Sequence, residues 1–271
     1  MRRTSQSSLD AVAGAFEPVL RSAGADAARL GEQLFAVVDA LDASGTLRRA
    51  LSDPARDGES KVALVTQLLG GRADERVVDV LSGLARGRWS SETDLADAVD
   101  QLASDAVLAG AQNAGALEQV EEELFRVVRL LASQRELRRG LADRQASPEA
   151  RAQLARSVFG ETLHPATAQL IERAALAPRG RNIVAVLTEL LRLVSARRHK
   201  LVAAVTSAQP LTKAQSARLA TLLESAYGRS VQLNISVDPG VVGGLRIEIG
   251  SDVVNATVLA RLDDVRRRLA G

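Results

Sequence analysis

The stretch Ser230-Val231-Gln232-Leu233-Asn234-Ile235-Ser236-Val237 is followed by Asp238-Pro239-Gly240 and then by Leu245-Arg246-Ile247-Glu248-Ile249. Apolar residues alternate with polar ones in both runs, the period of a strand with one buried face. Asp238-Pro239-Gly240 is turn chemistry. Two such runs around a turn predict a paired β-unit. Working outward, Leu201-Val202-Ala203-Ala204-Val205 is a short apolar run that reads as a buried strand. Thr212-Lys213-Ala214-Gln215 is a capping box: the Thr212 hydroxyl and the Gln215 amide reciprocally satisfy the free N–H groups of a starting helix. That helix carries Leu219, Leu222 and Leu223 and stops at Gly228. Leu262, Val265 and Leu269 lie on one face of a closing helix. The expectation for residues 200–271 is a small β-α-β-β-α unit.

Everything upstream reads as helix. Leu9, Val12 and Phe16 fall at helical spacing, and Pro18 is expected to break or restart that segment. Leu30, Leu34, Val37, Val38 and Leu41 form an amphipathic stripe, followed by a short helix capped by Thr46. Further stripes run to Gly70-Gly71 and to Gly87, and a longer one runs from about Ser91 to Asn113-Ala114-Gly115. Then the pattern restarts. Leu34-Phe35, Val37-Val38 and Leu41 recur as Leu124-Phe125, Val127-Val128 and Leu131, an offset of 90 residues. Leu47-Arg48-Arg49, Leu51 and Asp53 recur as Leu137-Arg138-Arg139, Leu141 and Asp143, and Gly70 recurs as Gly160. Arg86-Gly87-Arg88 matches Arg179-Gly180-Arg181 at an offset of 93, which implies a three-residue insertion. Ser147-Pro148-Glu149 starts a helix in the second copy. The expected fold is mainly α: a helical bundle with an internal duplication (1–115 and 116–199), then the small α+β unit (200–271).

Composition narrows the chemistry. The 271 residues are 46% hydrophobic and 25% charged, the balance of a globular chain. Aromatics are 2%, so Leu, Val and Ala must build the core. Without cysteine there is no disulfide and no thiolate metal site. His164 and His199 cannot make a zinc site alone. The formal charge of +2 implies no general affinity for nucleic acid. No signal-peptide core or membrane-length apolar run stands out, so a cytosolic chain is expected.

No candidate active site outweighs its structural alternative. Val242-Gly243-Gly244 lacks the Lys-Ser or Lys-Thr of a phosphate loop and reads as close backbone packing or a bulge. Asp238 reads as a turn residue. Glu121, Glu122 and Glu123 read as the first turn of a helix, on a solvated face. Arg197-Arg198-His199-Lys200 and Arg266-Arg267-Arg268 complement helix C-termini and lack interleaved aromatics. Trp89 reads as a loop-to-helix anchor. No catalytic, cofactor-binding or metal residue is assigned. What remains is an interaction protein, whose inter-helix grooves accept amphipathic helices.

The residues Thr206-Ser207-Ala208-Gln209-Pro210-Leu211-Thr212 with Gln215, then Val237-Asp238-Pro239, Val242-Gly243-Gly244-Leu245-Arg246-Ile247, Gly250 and Arg261-Leu262, resemble the delta subunit family of the F-type ATP synthase, which includes the mitochondrial oligomycin-sensitivity-conferring protein. The resemblance extends upstream through Glu122-Glu123-Leu124 and Leu137-Arg138. One repeat copy plus the C-terminal unit covers the ordinary family length, so the additional copy resembles the enlarged actinobacterial form. Two departures are Ser251 before Asp252, and Asn255 where the family commonly has Asp; Ser and Asn also serve turns and caps.

The resemblance implies a non-catalytic peripheral-stalk subunit, present once in a hetero-oligomeric complex at the cytoplasmic face of the membrane and not itself inserted. The bundle would take up N-terminal segments of alpha subunits, and the C-terminal unit would engage the distal end of the b subunit. An inter-helix groove lined by residues such as Leu34, Val37, Leu124 and Val127 is the implied partner surface, with core packing as the alternative role for each. Pro210, Thr212, Gln215, Asp238, Pro239, Gly243, Gly244 and Gly250 are the structural motif positions. Two rival readings stay open: a helical-repeat adaptor for another partner, and a nucleic-acid protein using the arginine clusters.

Overall fold

The computed structural model describes residues 2–199, 201–227, 231–238, 244–249 and 252–255. Eleven helices come first: α1 (Arg3–Ser22), α2 (Ala27–Ala43), α3 (Gly45–Ser52), α4 (Gly58–Leu69), α5 (Glu75–Arg86), α6 (Glu92–Asn113), α7 (Leu117–Ser133), α8 (Arg135–Ala142), α9 (Pro148–Phe159), α10 (Pro165–Leu176) and α11 (Ile183–His199). After them come β1 (Leu201–Ser207), α12 (Lys213–Tyr227), β2 (Val231–Val237), β3 (Leu245–Ile249) and β4 (Asp252–Asn255). The chain divides into two compact units, Met1–Val194 and Ser195–Gly271.

The duplication is visible in the backbone. Helices α2 to α5 and α7 to α10 begin and end at positions that differ by 90 throughout. Local hydrogen bonds repeat at the same offset. Arg48 Nη1 donates to the Leu41 carbonyl (2.7 Å), and Arg138 Nη1 to the Leu131 carbonyl (3.0 Å). The Asp74 N–H donates to Gln33 Oε1 (2.8 Å), and the His164 N–H to Glu123 Oε2 (2.9 Å). Asp74 and His164 each also cap the helix that follows, accepting from the N–H two residues on.

Helix α6 belongs to both copies. It closes the first six-helix set, α1 to α6, and opens the second, α6 to α11. Residues Ala106-Val107-Leu108-Ala109-Gly110-Ala111 are all buried, so this segment is apolar around its whole circumference. Its small side chains let α2 approach closely. A Cβ on Gly31 of α2 would lie 2.7 Å from the Ala103 carbonyl oxygen, and one on Gly110 would lie 3.0 Å from the Ala28 nitrogen. One continuous core runs from Leu9 through Val194 and takes in both copies. From α6 to α11 the offset is 91: Ser91 and Asn182 are the equivalent caps, and Val99 and Leu190 are both buried. The net insertion between the copies is therefore one residue, not three. Arg86 ends α5, whereas Arg179 stands in the loop after α10 with φ 51°, so the two Arg-Gly-Arg runs are not structural equivalents.

Two further expectations are corrected in this unit. Helix α1 passes through Pro18 without a break, because Phe16 and Leu20 on either side of it are buried in the core. The cap of α3 is Ser44, whose hydroxyl accepts from the Leu47 N–H at 3.2 Å, rather than Thr46.

The C-terminal sheet has the strand order β2-β1-β3-β4. The two alternating runs, in β2 and β3, are strands, but they do not pair. β1 lies between them, parallel to β2 (Leu201 opposite Val231) and antiparallel to β3 (Val205 opposite Ile247). A strand with Ala203 and Val205 fully buried is suited to the centre, and the crossover through α12 makes its pairing with β2 parallel. β3 pairs instead with β4, a strand not anticipated from the sequence, in which Asn255 stands opposite Arg246 rather than in a turn. The capping box of α12 forms: the Gln215 N–H donates to Thr212 Oγ1 at 3.3 Å, and the Thr212 N–H to Gln215 Oε1 at 2.9 Å. Gly228, Pro239, Gly243, Gly250 and the closing helix with Leu262, Val265 and Leu269 lie outside the described residues.

Candidate partner-binding surfaces

Two concave surfaces stand out, one in each unit. The first opens between α2, α3, α4 and α5, over α6, with a volume of about 350 Å³. Its walls are apolar: Val37, Leu47, Leu51, Leu68, Leu69 and Val99 face it, with Gln33 and Arg72 as the polar members. It stays open because Ala36, Ala40 and Ala73 contribute little bulk. The positions 90 residues on hold Arg126, Leu130 and Leu163, and Leu69 is matched by Phe159. The second copy thus carries larger side chains at the same places.

Of the four groove residues expected from sequence, Val37 lines this opening. Leu34 and Leu124 are fully buried in the core and Val127 nearly so. Leu34 sits one helical turn from Val37 on the buried side of α2, and Leu124 and Val127 lie on α7 of the second copy, away from this opening.

The second surface, about 840 Å³, lies in the C-terminal unit beside the start of α12. Pro210, Thr212, Gln215 and Gly244, far apart in sequence, all line it, together with Leu219 and Leu222. Leu222 is 59% exposed, an apolar side chain left uncovered on a helix face. Asp238 is not part of this surface; its N–H donates to the Ser207 carbonyl at 2.9 Å and ends the sheet edge. Gly244 has φ +87°, a backbone conformation that favours glycine.

Several polar residues of the helical unit hold its fold together. Glu123 is 2% exposed, contrary to the solvated role expected for it, and lies beyond the first turn of α7. Its carboxylate accepts from Thr167 Oγ1 (2.6 Å), the His164 N–H (2.9 Å) and Gln119 Nε2 (2.8 Å). Burial pushes its pKa up, but these three donors outweigh burial and hold it below the ordinary value. The result is an anchored start of α10. Asp74, the equivalent N-cap in the first copy, is held at about 2 by hydrogen bonds from the Arg76 guanidinium. Trp89 is buried, and its indole N–H donates to the Leu84 carbonyl at 2.9 Å, anchoring the loop before α6.

Polar groups also line the seam between the copies. Arg173 of α10 donates to Asp39 of α2 at 2.7 Å and lies over the Phe35 ring, 4.7 Å from its centroid. Arg179 reaches Asp42 and, at 3.0 Å, Asp97. Asp100 lies within ion-pair range of Arg173 and Arg181. Burial pushes the Asp100 carboxyl up from its usual value, against the pull of those arginines. Among the described residues there is no group of three or more potential metal ligands, and no helix long and apolar enough to cross a membrane.

The family model described as ATP synthase delta (OSCP) subunit matches residues 99–269. The chain belongs to this family. The match begins inside α6, so it takes in the second copy and the C-terminal unit and leaves the first copy outside. Whole-length relatives carry that copy too. The ATP synthase subunit delta of Beutenbergia cavernae is 49% identical over 271 residues, with 100% of both chains covered. That of Streptomyces griseus is 42% identical, again over 100% of both. A chain of the Toxoplasma gondii mitochondrial ATP synthase hexamer is similar at 17% identity and a TM-score of 0.29, covering 62% of this chain and 95% of that one, a likeness too distant to bear on function. As a member of the delta family the chain is a non-catalytic subunit of an ATP synthase.

Proposed function

We propose that this subunit is the torque-resisting link of the peripheral stalk. Its helical unit takes up amphipathic N-terminal segments of alpha subunits on the catalytic head. Its C-terminal unit engages the distal end of the membrane-anchored b subunit. One copy serves each complex, on the cytoplasmic face of the membrane. The three-part division at 1–115, 116–199 and 200–271 is then functional: two head-side copies and one b-side unit.

The observation that carries this reading is the presence of a concave surface in each unit, one apolar and one in which Leu211, Leu219 and Leu222 stand among polar residues, in a chain of the delta family. The groove lined by Val37 suits an apolar helix face, with Leu34 packing α2 beneath it; Leu124 and Val127 have the same packing role in the second copy. The surface beside Pro210 and Leu222 suits the end of a long partner helix.

The test is a charge inserted in each surface. Val37→Asp is expected to weaken capture of an alpha N-terminal peptide and leave b binding intact, and Leu222→Asp to do the reverse. Membranes from a deletion strain are expected to lose proton-driven ATP synthesis. Normal coupling in that strain, or loss of both partners with either variant, would overturn the reading.

A further inference from the structure

The repeat shows what its own surface takes. On α2, Glu32, Phe35, Asp39 and Asp42 form one stripe, spaced three or four residues apart. In the first copy side chains of α10 and of the loop after it reach this stripe and cover its ring, while Glu32, Asp39 and Asp42 stay exposed. Gln169 Nε2 donates to Glu32 at 3.2 Å, Arg173 stacks on Phe35 and pairs with Asp39, and Arg179 pairs with Asp42. Phe35 is left 6% exposed. The same stripe on α7, at an offset of 90, is Glu122, Phe125, Arg129 and Ala132. There Phe125 is 53% exposed, and Arg129 lies 5.9 Å from its ring centroid. Glu122, Arg129 and Ala132 are exposed, as Glu32, Asp39 and Asp42 are in the first copy, so the two stripes differ in the cover over the ring.

We propose that the α7 stripe Glu122-Phe125-Arg129 is a docking surface for an amphipathic helix of a different polypeptide, one that presents a carboxylate where α10 presents Arg173. Two features set the occupant. The groups that meet the equivalent face come from one helix and the loop after it, with Gln169 and Arg173 four residues apart, so a helix is the element that presents them. Asp39 is replaced by Arg129, so the charge required of the incoming helix is reversed. The reversal also disfavours another copy of this chain, whose α10 would bring Arg173 against Arg129; its own α10 is in any case held at the seam. Like charges in register repel, which makes the substitution a stop to further copies as well as a specificity element. The proposal is independent of which subunits the two grooves bind.

The test uses the full chain and two probes: stapled helical peptides of residues 165–176, one with the native sequence and one carrying Arg173→Glu. The staple is needed because a helix of this length is marginal alone. The Arg173→Glu peptide is expected to bind about tenfold more tightly than the native one, the scale of one well-placed charge pair. Phe125→Ser should abolish binding, and Arg129→Asp should invert the preference. Both positions are exposed, and unchanged melting of the variants checks that they fold. Equal binding of the two peptides, no binding of either, or binding that survives Phe125→Ser would overturn the proposal. So would an equal loss on Arg126→Asp, which lies off the stripe and would show a general charge effect. A dimer in sedimentation that Phe125→Ser dissolves would also overturn it, by making a second copy the occupant.

Discussion

At position 35 of the first copy and position 125 of the second, the same residue sits on the same helix face in two environments. Phe35 is closed under α10 and Phe125 is open. The copies share a backbone plan, with α2 to α5 and α7 to α10 in register at 90 residues, yet differ at positions where one meets the other. The first presents acids (Asp39, Asp42), an α2 thinned by Gly31, and alanines that open a groove. The second presents the arginines that meet those acids, and bulk where the first has space. Duplication supplies a second bundle without cost to the fold; what has diverged is the set of positions that turn two bundles into one unit around α6.

The largest expected effect tests that shared helix. Gly31→Leu puts a side chain into the Ala103 backbone, which cannot move without displacing α6 from both copies. Overpacking of a rigid site costs about 3 kcal/mol. Glu121→Leu, the corresponding change in the second copy, is expected to shift stability by less than about 1 kcal/mol. Denaturant midpoints compare them. Similar losses at the two sites would mean that α7 is as tightly seated as α2.

Next in size are the paired anchors of α5 and α10. Glu123→Ala removes a buried carboxylate and strands three donors, an expected loss of about 2–3 kcal/mol. Gln33→Ala removes one neutral hydrogen bond to the Asp74 N–H, about 1 kcal/mol. The pH dependence separates them. Glu123 has a lowered pKa in the fold, so its contribution is complete above the ordinary carboxylate value and is lost as pH falls through the folded one. Melting curves should therefore show Glu123→Ala closing on the parent in acid, with Gln33→Ala displaced by a constant amount.

Arg179→Ala follows, at about 1–2 kcal/mol, since it releases the loop after α10 from α2 and α6 but leaves an exposed Asp42. Hydrogen exchange should rise in that loop and at the Asp97 turn of α6. Exchange unchanged at both would show that the apolar core alone holds the seam.

Periodicity made the helices and strands legible, because burial of one face writes itself into sequence at 3.6 or 2 residues. It did not give the neighbour of each strand. Alternation tells which side of Val231 faces the core, not that β1 lies between β2 and β3. Glu123 was hidden by its neighbours Glu121 and Glu122, although a signal was present. It stands three residues after Val120 and four before Val127, inside the buried stripe, and its repeat partner is the neutral Gln33. The double role of α6 was also written in six consecutive apolar residues, 106–111, too many for a helix with a wet side. The groove of the first copy was legible only in part: Val37 reaches it, while Leu34 and Leu124 belong to the same stripes at full depth. Three or four adjacent apolar positions look alike until neighbouring helices decide which is covered.

The smallest effect expected concerns Asp100, and its sign is opposite to that of Glu123. Burial raises the Asp100 pKa despite three nearby arginines, so the folded state takes up the proton more readily than the unfolded chain. The stability this provides is complete below the unfolded pKa and disappears as pH rises through the folded one. At neutral pH the charged carboxylate is therefore a small burden on the seam. Asp100→Asn keeps an acceptor in place and removes the charge that burial penalises. It should match or exceed the parent by up to about 1 kcal/mol at pH 7 and lose that advantage in acid. Arg173 bears on the outcome, since its Nε is buried without a hydrogen bond and lies 3.8 Å from the Asp100 carboxylate. A destabilised Asp100→Asn at pH 7 would show that the arginines need this carboxylate more than burial penalises it, and that the two copies are joined by charge rather than by the core they share.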